Sequence, residues 1–260
     1  MRIAVMGDPH GVKVPKSKIG KVDAVLITGD IGKADLARAN FFKKIKNSDY
    51  EPSKKEERDA FMEVHNSSMD VLKHYSDIAP VYFVFGNVEQ HDFEVRKLAQ
   101  RIGYKLPLFV EKVKKMNSVG IINNRFVNLG GFRVGGLEYF VDTSWVREFK
   151  PDDYSKKLKK ARRESEKVKK VLNWFGNRID VLLCHQPPYG VLDKVNFPGV
   201  PDNWKGKHAG SKVILDYLKK YQLKYVCCGH IHEGEGKARV GKTEVYNLGS
   251  SGNFRILDIK

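Results

Sequence analysis

The sequence predicts an α/β protein in which buried strands lie between layers of helices. Short, continuous apolar runs occur at 3–6, 24–28 and 81–85, a pattern typical of strands covered on both faces. The stretch between the second and third runs, about 34–74, is amphipathic and is interrupted by polar residues and a proline near 49–53, so we expect helices there. The order strand, helices, strand is typical of an α/β sandwich.

After a short predicted helix at about 93–102, the sequence pattern in the middle of the chain changes to short strand-like runs. Three strand-like runs separated by Asn-Asn and Gly-Gly, which are hairpin signals, lie at 119–122, 125–129 and 132–137. We expect them to form an antiparallel meander that joins a second sheet.

The remaining elements continue the alternation of strands and helices. An amphipathic helix is predicted at 151–175, and two buried strands at 179–184 and 225–228 flank a helix at 211–221. The final runs, 244–247 and 254–259, are expected to pair as a hairpin. No linker or repeat is visible, so one domain over residues 1–260 is the simplest expectation.

Composition excludes several classes of protein. The chain has 260 residues and is 41% hydrophobic, which is too apolar for a disordered protein, and no apolar run approaches the ~20 residues of a membrane span. The apolar stretch at the N-terminus is too short for a secretory signal, so we expect a cytoplasmic protein without membrane contact. The three cysteines lie in strand-like runs and are expected to be buried free thiols.

The net charge of +16 attracts polyanions and steers phosphate-bearing substrates, and it is also compatible with a heat-adapted surface. Much of it lies on the predicted helix at 151–175. That helix can present either a solvated face or a face that docks a polyanion, and charge alone does not separate the two.

Polar side chains of metal-binding types follow five of the predicted strands. In chain order these residues are Asp8, His10, Asp30, Asn87, His185, His230 and His232. Because ligands bind at the carboxyl ends of strands in α/β sheets, we expect these side chains to converge. Burying them without a cation to coordinate would be costly. Carboxylates, imidazoles and one amide, without a thiolate, favour manganese, iron or zinc.

Two adjacent divalent ions need a shared anionic ligand, and Asp30 is our candidate for this bridge. Gly29, Gly86 and Gly229 each precede a candidate ligand. A residue without Cβ there permits a tight turn that directs the next side chain into the site.

The motifs Asp-Pro-His, Gly-Asp, Gly-Asn-Val-Glu, His and Gly-His-Ile-His, in this order, resemble those of the calcineurin-like metallophosphoesterases. The resemblance is greatest to the prokaryotic branch related to the cyclic-nucleotide phosphodiesterase Icc, and it extends from Asp8 to Ser250. It implies a four-layer α/β/β/α sandwich with two mixed sheets. It also implies one metal ion held by Asp8, His10, Asp30 and His232, and a second held by Asp30, Asn87, His185 and His230.

One position departs from the family pattern. The family has a histidine that contacts the phosphate and protonates the leaving group where this chain has Val88. Losing a general acid costs about 10²- to 10⁴-fold in rate for poor leaving groups. We therefore expect a diesterase that favours good leaving groups, or a substitute proton donor, for which His91 and His208 are the candidates.

The sequence thus predicts a phosphoester hydrolase that uses a metal-bridging hydroxide, with catalysis carried by Asp30, Asn87 and His185. Manganese is the first choice of metal, with iron, zinc and nickel as alternatives. The expected substrate is a small phosphodiester or phosphomonoester. Glu89 and Asn247 are candidates to support the metal-bound imidazoles.

Two alternatives remain open at this stage. A nuclease acting on DNA or RNA fits the positive charge, although no added domain is visible to hold a duplex. A metal-binding scaffold without catalysis fits Val88. The oligomeric state cannot be derived from the sequence.

Overall fold

The computed structural model describes residues 1–197 and 199–259. Its strands are β1 (Arg2–Met6), β2 (Ala24–Ile27), β3 (Val81–Phe83), β4 (Val119–Ile121), β5 (Arg125–Leu129), β6 (Phe132–Leu137), β7 (Val181–Cys184), β8 (Tyr225–Cys228), β9 (Gly236–Val240), β10 (Thr243–Asn247) and β11 (Phe254–Asp258). Its helices are α1 (Lys16–Ile19), α2 (Asp35–Lys46), α3 (Lys54–Ser76), α4 (Asp92–Ile102), α5 (Phe109–Val113), α6 (Thr143–Phe149), α7 (Tyr154–Phe175) and α8 (Lys212–Tyr221), and a 3₁₀ turn spans His232–Gly234.

The strands form two mixed sheets. The first has the order β11-β1-β2-β3-β4, in which β1 to β4 are parallel and β11 is antiparallel to β1. The second has the order β5-β6-β7-β8-β10-β9, with β6, β7, β8 and β10 parallel and an antiparallel strand at each edge. The predicted α/β class is confirmed.

The sheets pack face to face and helices cover their outer faces. Residues such as Ile3 and Leu26 of the first sheet share one apolar cluster with Val181 and Leu183 of the second. Side chains of α3 and α5 cover the outside of the first sheet, and side chains of α7 and α8 cover the outside of the second. Strands in both sheets are therefore buried on both faces, which explains their continuous apolar sequences. The four-layer arrangement is confirmed.

Two predicted strand pairings are wrong. Strand β4 pairs in parallel with β3 in the first sheet, so that only β5 and β6 form the expected antiparallel pair. Strand β10 pairs with β8 and β9 in the second sheet, whereas β11 crosses to the first sheet beside β1. A local turn signal marks where the chain changes direction, but it does not specify the partner strand.

The break near 49–53 is real and has a capping explanation. Helix α2 ends at Lys46, and Ser53 begins α3 with a capping box in which Ser53 and Glu56 exchange side-chain and backbone hydrogen bonds. Helix α2 buries no residue and exposes Phe41 and Phe42. Within the described ranges, no helix combines the length and apolar character needed to cross a bilayer.

Candidate metal centre

The seven predicted ligands converge at one end of the sandwich. They lie in loops that follow β1, β2 and β3 of the first sheet and β7 and β8 of the second. Because the parallel strands of both sheets end at the same edge, residues far apart in sequence become neighbours there.

The first group joins the loops after β1 and β8. The Nε2 atoms of His10 and His232 lie 3.3 Å apart, and His232 Nε2 is 3.4 Å from Asp8 Oδ2. Asp8 is fully buried, and its other oxygen accepts a hydrogen bond of 2.6 Å from the Thr28 hydroxyl. That bond leaves Oδ2 directed towards the two imidazoles.

The second group surrounds His185, which is fully buried. Its Nδ1 is 3.1 Å from the carbonyl oxygen of Thr28, to which an Nδ1–H donates. Its Nε2 then faces the centre, 3.0 Å from Asn87 Oδ1 and 3.6 Å from Asp30 Oδ1. The ring of His230 lies 4.7 Å from that of His185, between centroids. A backbone carbonyl that fixes the tautomer in this way is typical of metal-binding histidines.

Asp30 lies between the two groups. Its Oδ2 is 3.9 Å from His10 Nε2 in the first group, and its Oδ1 is 3.6 Å from His185 Nε2 in the second. This is the position expected of a bridging carboxylate. Asp8 also borders both groups, but it approaches the Nδ1 of His185, at 3.6 Å, which is the nitrogen already occupied by Thr28.

The electrostatics of the centre favour a cation. Burial opposes charge on Asp8, but the charge of His185 and hydrogen bonds drive the pKa of Asp8 well below its usual range. Burial disfavours charge on His185 as well, yet Asp30 and Asp8 raise the pKa of His185 to about 9. Burial and the neighbouring His185 lower the pKa of His230 to about 3, so this ring stays neutral and keeps a lone pair for a ligand.

Three of the seven residues have a backbone conformation that is uncommon outside glycine. His10, Asp30 and His230 have φ values of 46°, 42° and 65°. Residues held in this left-handed region cost free energy and concentrate at functional sites. The local backbone is thus arranged to direct these side chains into the centre.

The glycines before the ligands act in two ways. Gly29 has φ 118° and makes the predicted tight turn. Gly86 and Gly229 instead provide space, because a Cβ on Gly86 would collide with Asp30 Oδ1 and one on Gly229 would collide with Asp8 Oδ1. The turn explanation is therefore wrong for these two positions.

Glu89 and Asn247 do not support imidazoles as expected. The buried Glu89 carboxylate accepts hydrogen bonds from the backbone N–H groups of Asp30, Ile31 and Gly86, at 2.7 to 3.0 Å. The Asn247 amide bonds the carbonyl oxygens of Leu192 and Ile231. Both residues fix the backbone of the ligand loops rather than the histidine rings.

The two candidate proton donors, His91 and His208, are hydrogen-bonded to carboxylates outside the metal centre. His91 Nε2 bonds Glu138 at 2.9 Å, and His208 Nδ1 bonds Asp193 at 2.7 Å. Neither ring lines the cavity that opens at the centre, as far as the described residues define it. The Val88 side chain does line it, and the Val88 N–H donates to Asp30 Oδ1 at 3.0 Å, a contact that any non-proline residue here could make.

Arg38 is a neighbour of the centre that the sequence did not indicate. It lies in α2 and lines the cavity with His10 and Asp30. Burial lowers the pKa of His10, and the charge of Arg38 contributes in the same direction. No motif marks this arginine, because its proximity depends on the packing of α2 against α3.

The donor set fits hard or borderline divalent metal ions. It consists of carboxylate oxygens, imidazole nitrogens and one amide oxygen. The thiols are buried, and burial raises the pKa of Cys227 to about 12, which disfavours a thiolate ligand. This chemistry suits manganese, iron or zinc and disfavours copper(I) and iron–sulfur clusters.

The fold and the cluster of candidate metal ligands at the strand ends are consistent with a metal-dependent hydrolase. The chain belongs to the calcineurin-like phosphoesterase family, whose sequence model matches residues 1–234. That range contains all seven candidate ligands, and the family depends on two metal ions.

Individual relatives are distant. Uncharacterized protein MJ1162 of Methanocaldococcus jannaschii is 24% identical in an alignment of length 202, which covers 71% of this chain and 84% of that protein. A phosphopantetheinyl hydrolase from Mycobacterium tuberculosis is 13% identical with a TM-score of 0.53, covering 96% of this chain and 89% of that one. A dimetal phosphatase from Danio rerio is 12% identical with a TM-score of 0.52, covering 98% and 91%. At these identities the two structures show a shared fold.

Proposed function

We propose that this protein is a dinuclear-metal-dependent phosphodiesterase that acts on small substrates. The observation that carries the proposal is the convergence of seven side chains of metal-binding types at one end of the sandwich, with Asp30 between two groups. Family membership supports a hydrolase of phosphoesters. We also propose that residues 1–260 work as a single domain, because one apolar cluster joins both sheets.

The two groups would divide the ligands as the family resemblance implies. Asp8, His10 and His232 would hold one ion, and Asn87, His185 and His230 the other, with Asp30 shared. When bound, two divalent cations would polarise the phosphoryl group and lower the pKa of the attacking water. Manganese is our first choice, with iron, zinc and nickel as alternatives.

The protein's own residues hold this arrangement in place. Thr28 orients both Asp8 and His185, through its hydroxyl and its carbonyl oxygen respectively. Glu89 ties the loops that carry Asp30 and Asn87 to each other through backbone N–H groups. Positioning of this kind contributes to catalysis because the reacting groups then need little reorganisation.

The preference for diesters rests on two features of the cavity. Val88 cannot protonate a leaving group, which disfavours alcohols that depart slowly without a proton. In addition, Arg38 is the one cavity-lining arginine without an ion pair among the described residues, since Arg101 pairs with Glu57. The one positive charge of Arg38 balances the single negative charge of a diester.

The basic helix α7 gives no added support to the nuclease alternative. Its apolar face, which includes Val168 and Leu172, packs on the second sheet. None of the described cavity-lining residues comes from α7. The charged face of this helix is therefore separate from the candidate metal centre.

Steady-state kinetics test this proposal. We expect Mn²⁺-refilled protein to hydrolyse bis(4-nitrophenyl) phosphate with a kcat/KM at least about tenfold above that for 4-nitrophenyl phosphate. The Val88→His variant should raise turnover of diphenyl phosphate, a poorer leaving-group substrate, by about 10²-fold and change the nitrophenyl diester little. Val88→Ala is the matched control, because it keeps the backbone contact and adds no acid.

A monoester preference, or equal stimulation by histidine and alanine at position 88, would contradict the diesterase proposal. No turnover of any of these esters by fully metallated protein would favour the scaffold alternative instead.

A further inference from the structure

The outward face of α7 carries a row of basic side chains that the candidate metal centre does not use. The inward face packs on the second sheet through residues such as Val168 and Leu172. On the opposite side, basic residues recur every three or four positions, so that each is a neighbour of the next along the helix surface. This basic stripe consists of Lys156, Lys159, Arg163, Lys167 and Lys170, all of them exposed. At the rise of an α-helix it is about 21 Å long.

The charge of the basic stripe is not neutralised by the acidic residues of α7. Glu164 and Glu166 pair with lysines outside the stripe, at 3.6 Å from Lys160 Nζ and 2.8 Å from Lys169 Nζ. Within residues 1–197 and 199–259, no stripe residue forms an ion pair with a carboxylate. Like charges at this spacing destabilise a helix, whereas a heat-adapted surface arranges opposite charges in networks. The stripe is therefore unlike a heat-adapted surface, and a bound polyanion would relieve its repulsion.

Trp174 continues the stripe one turn beyond Lys170 and is 48% exposed. Its ring stacks on Phe126 of β5, with centroids 5.2 Å apart at 29°, and the guanidinium of Arg178 lies 5.0 Å from the indole centroid. These contacts fix the orientation of the indole while about half of its side chain stays open to solvent. Aromatic rings and arginine guanidinium planes are the platforms on which unpaired nucleic-acid bases stack.

The kind of polyanion follows from these two features together. A helix that lies in a membrane surface needs a free apolar face, and the apolar face of α7 is covered by the second sheet. A duplex could place phosphates on the stripe, but its bases are already stacked and have no use for an exposed indole. A row of positive charges beside an aromatic platform is typical of surfaces that bind single strands.

We propose that the basic stripe and Trp174 form a binding surface for single-stranded nucleic acid. The phosphates lie along the stripe, and a base stacks on Trp174 or on the neighbouring Arg178. None of the described cavity-lining residues belongs to this surface. The inference therefore concerns docking rather than cleavage, and it does not rest on the proposed function.

Fluorescence anisotropy of metal-free protein in EDTA tests the surface without catalysis. The probes are labelled oligouridylate and oligothymidylate of about 12 nucleotides, a length within the usual site sizes, and their relative affinities distinguish RNA from DNA. We expect saturable binding that weakens about 10²-fold between ~50 and ~200 mM salt, because five phosphate contacts on a single strand give a slope of log K against log salt of about −3.5.

The triple variant Lys159→Gln, Arg163→Gln and Lys170→Gln should weaken binding at low salt by about tenfold or more and reduce the magnitude of the salt slope by about 2. Its melting temperature should not fall, because the substitutions relieve repulsion between like charges.

The matched control is the triple variant Lys105→Gln, Lys114→Gln and Lys115→Gln. It removes the same charge from exposed lysines next to α5, which covers the other outer face of the sandwich. Its affinity and salt slope should stay near those of the wild type.

Trp174→Ala separates stacking from charge. This variant should bind the single strands about fivefold or more weakly with an unchanged salt slope, and Trp174→Tyr should retain most of the affinity. No saturable binding, equal weakening in the control triple variant, or unchanged single-strand affinity in Trp174→Ala would overturn the inference. Tighter binding of a matching duplex or of phosphatidylglycerol vesicles than of the single strands would also overturn it.

Discussion

The Asn87→Ala and His185→Ala variants are expected to lose phosphodiester hydrolysis by about 10²-fold or more, because changing even the outer partners of metal ligands typically costs 10- to 100-fold. The two side chains face one another at 3.0 Å, and each would supply a ligand atom to the same metal ion. Asn87 is exposed, so its loss removes a ligand without opening a cavity in the core.

Gln90→Ala is the matched control for these variants. Gln90 is also exposed and lines the cavity, but no role in metal binding is assigned to it. Initial rates with bis(4-nitrophenyl) phosphate and excess Mn²⁺ should be near wild type for Gln90→Ala and lost for Asn87→Ala, with equal melting temperatures. Full activity of Asn87→Ala and His185→Ala at limiting Mn²⁺ would rule out these ligand assignments.

The Glu89→Ala variant is expected to lose about 3 kcal/mol or more of unfolding free energy. The carboxylate accepts three backbone N–H groups, and each buried donor left unpaired costs roughly 1 to 3 kcal/mol. Burial and the charge of Asp30 raise the pKa of Glu89 to about 7 despite these bonds. The loops that carry Asp30 and Asn87 should separate, so that Mn²⁺ affinity falls together with stability.

Urea denaturation of metal-free protein measures the stability effect of Glu89→Ala, and equilibrium dialysis measures Mn²⁺ binding. Gln90→Ala, an adjacent surface substitution, should remain within about 0.5 kcal/mol of wild type. A Glu89→Ala protein with wild-type stability and Mn²⁺ affinity would show that this carboxylate does not organise the centre.

The buried strands and the residues of the candidate metal centre could be predicted because both leave a local pattern in the sequence. Continuous apolar runs predicted the buried strands, and the polar residues directly after them predicted which side chains converge at the candidate metal centre. The structure brings Asp8, Asp30 and His185 together because parallel strands end at one edge. The resemblance to the phosphoesterase family was confirmed by the match over residues 1–234.

Features that depend on tertiary packing were not predicted. The placement of β4 and β11 depends on which strand edge is free, and the local sequence pattern does not show that. The role of Glu89 depends on two N–H groups of the loop after β2, those of Asp30 and Ile31, and on that of Gly86 in its own loop.

The most direct test of the two-metal centre is a titration of metal-free protein with Mn²⁺, following diester hydrolysis and bound metal together. We expect hydrolysis to require Mn²⁺ and to reach its plateau at two bound ions per chain. Full activity with one bound ion, or activity that persists in metal-free protein, would contradict a dinuclear centre built on Asp30.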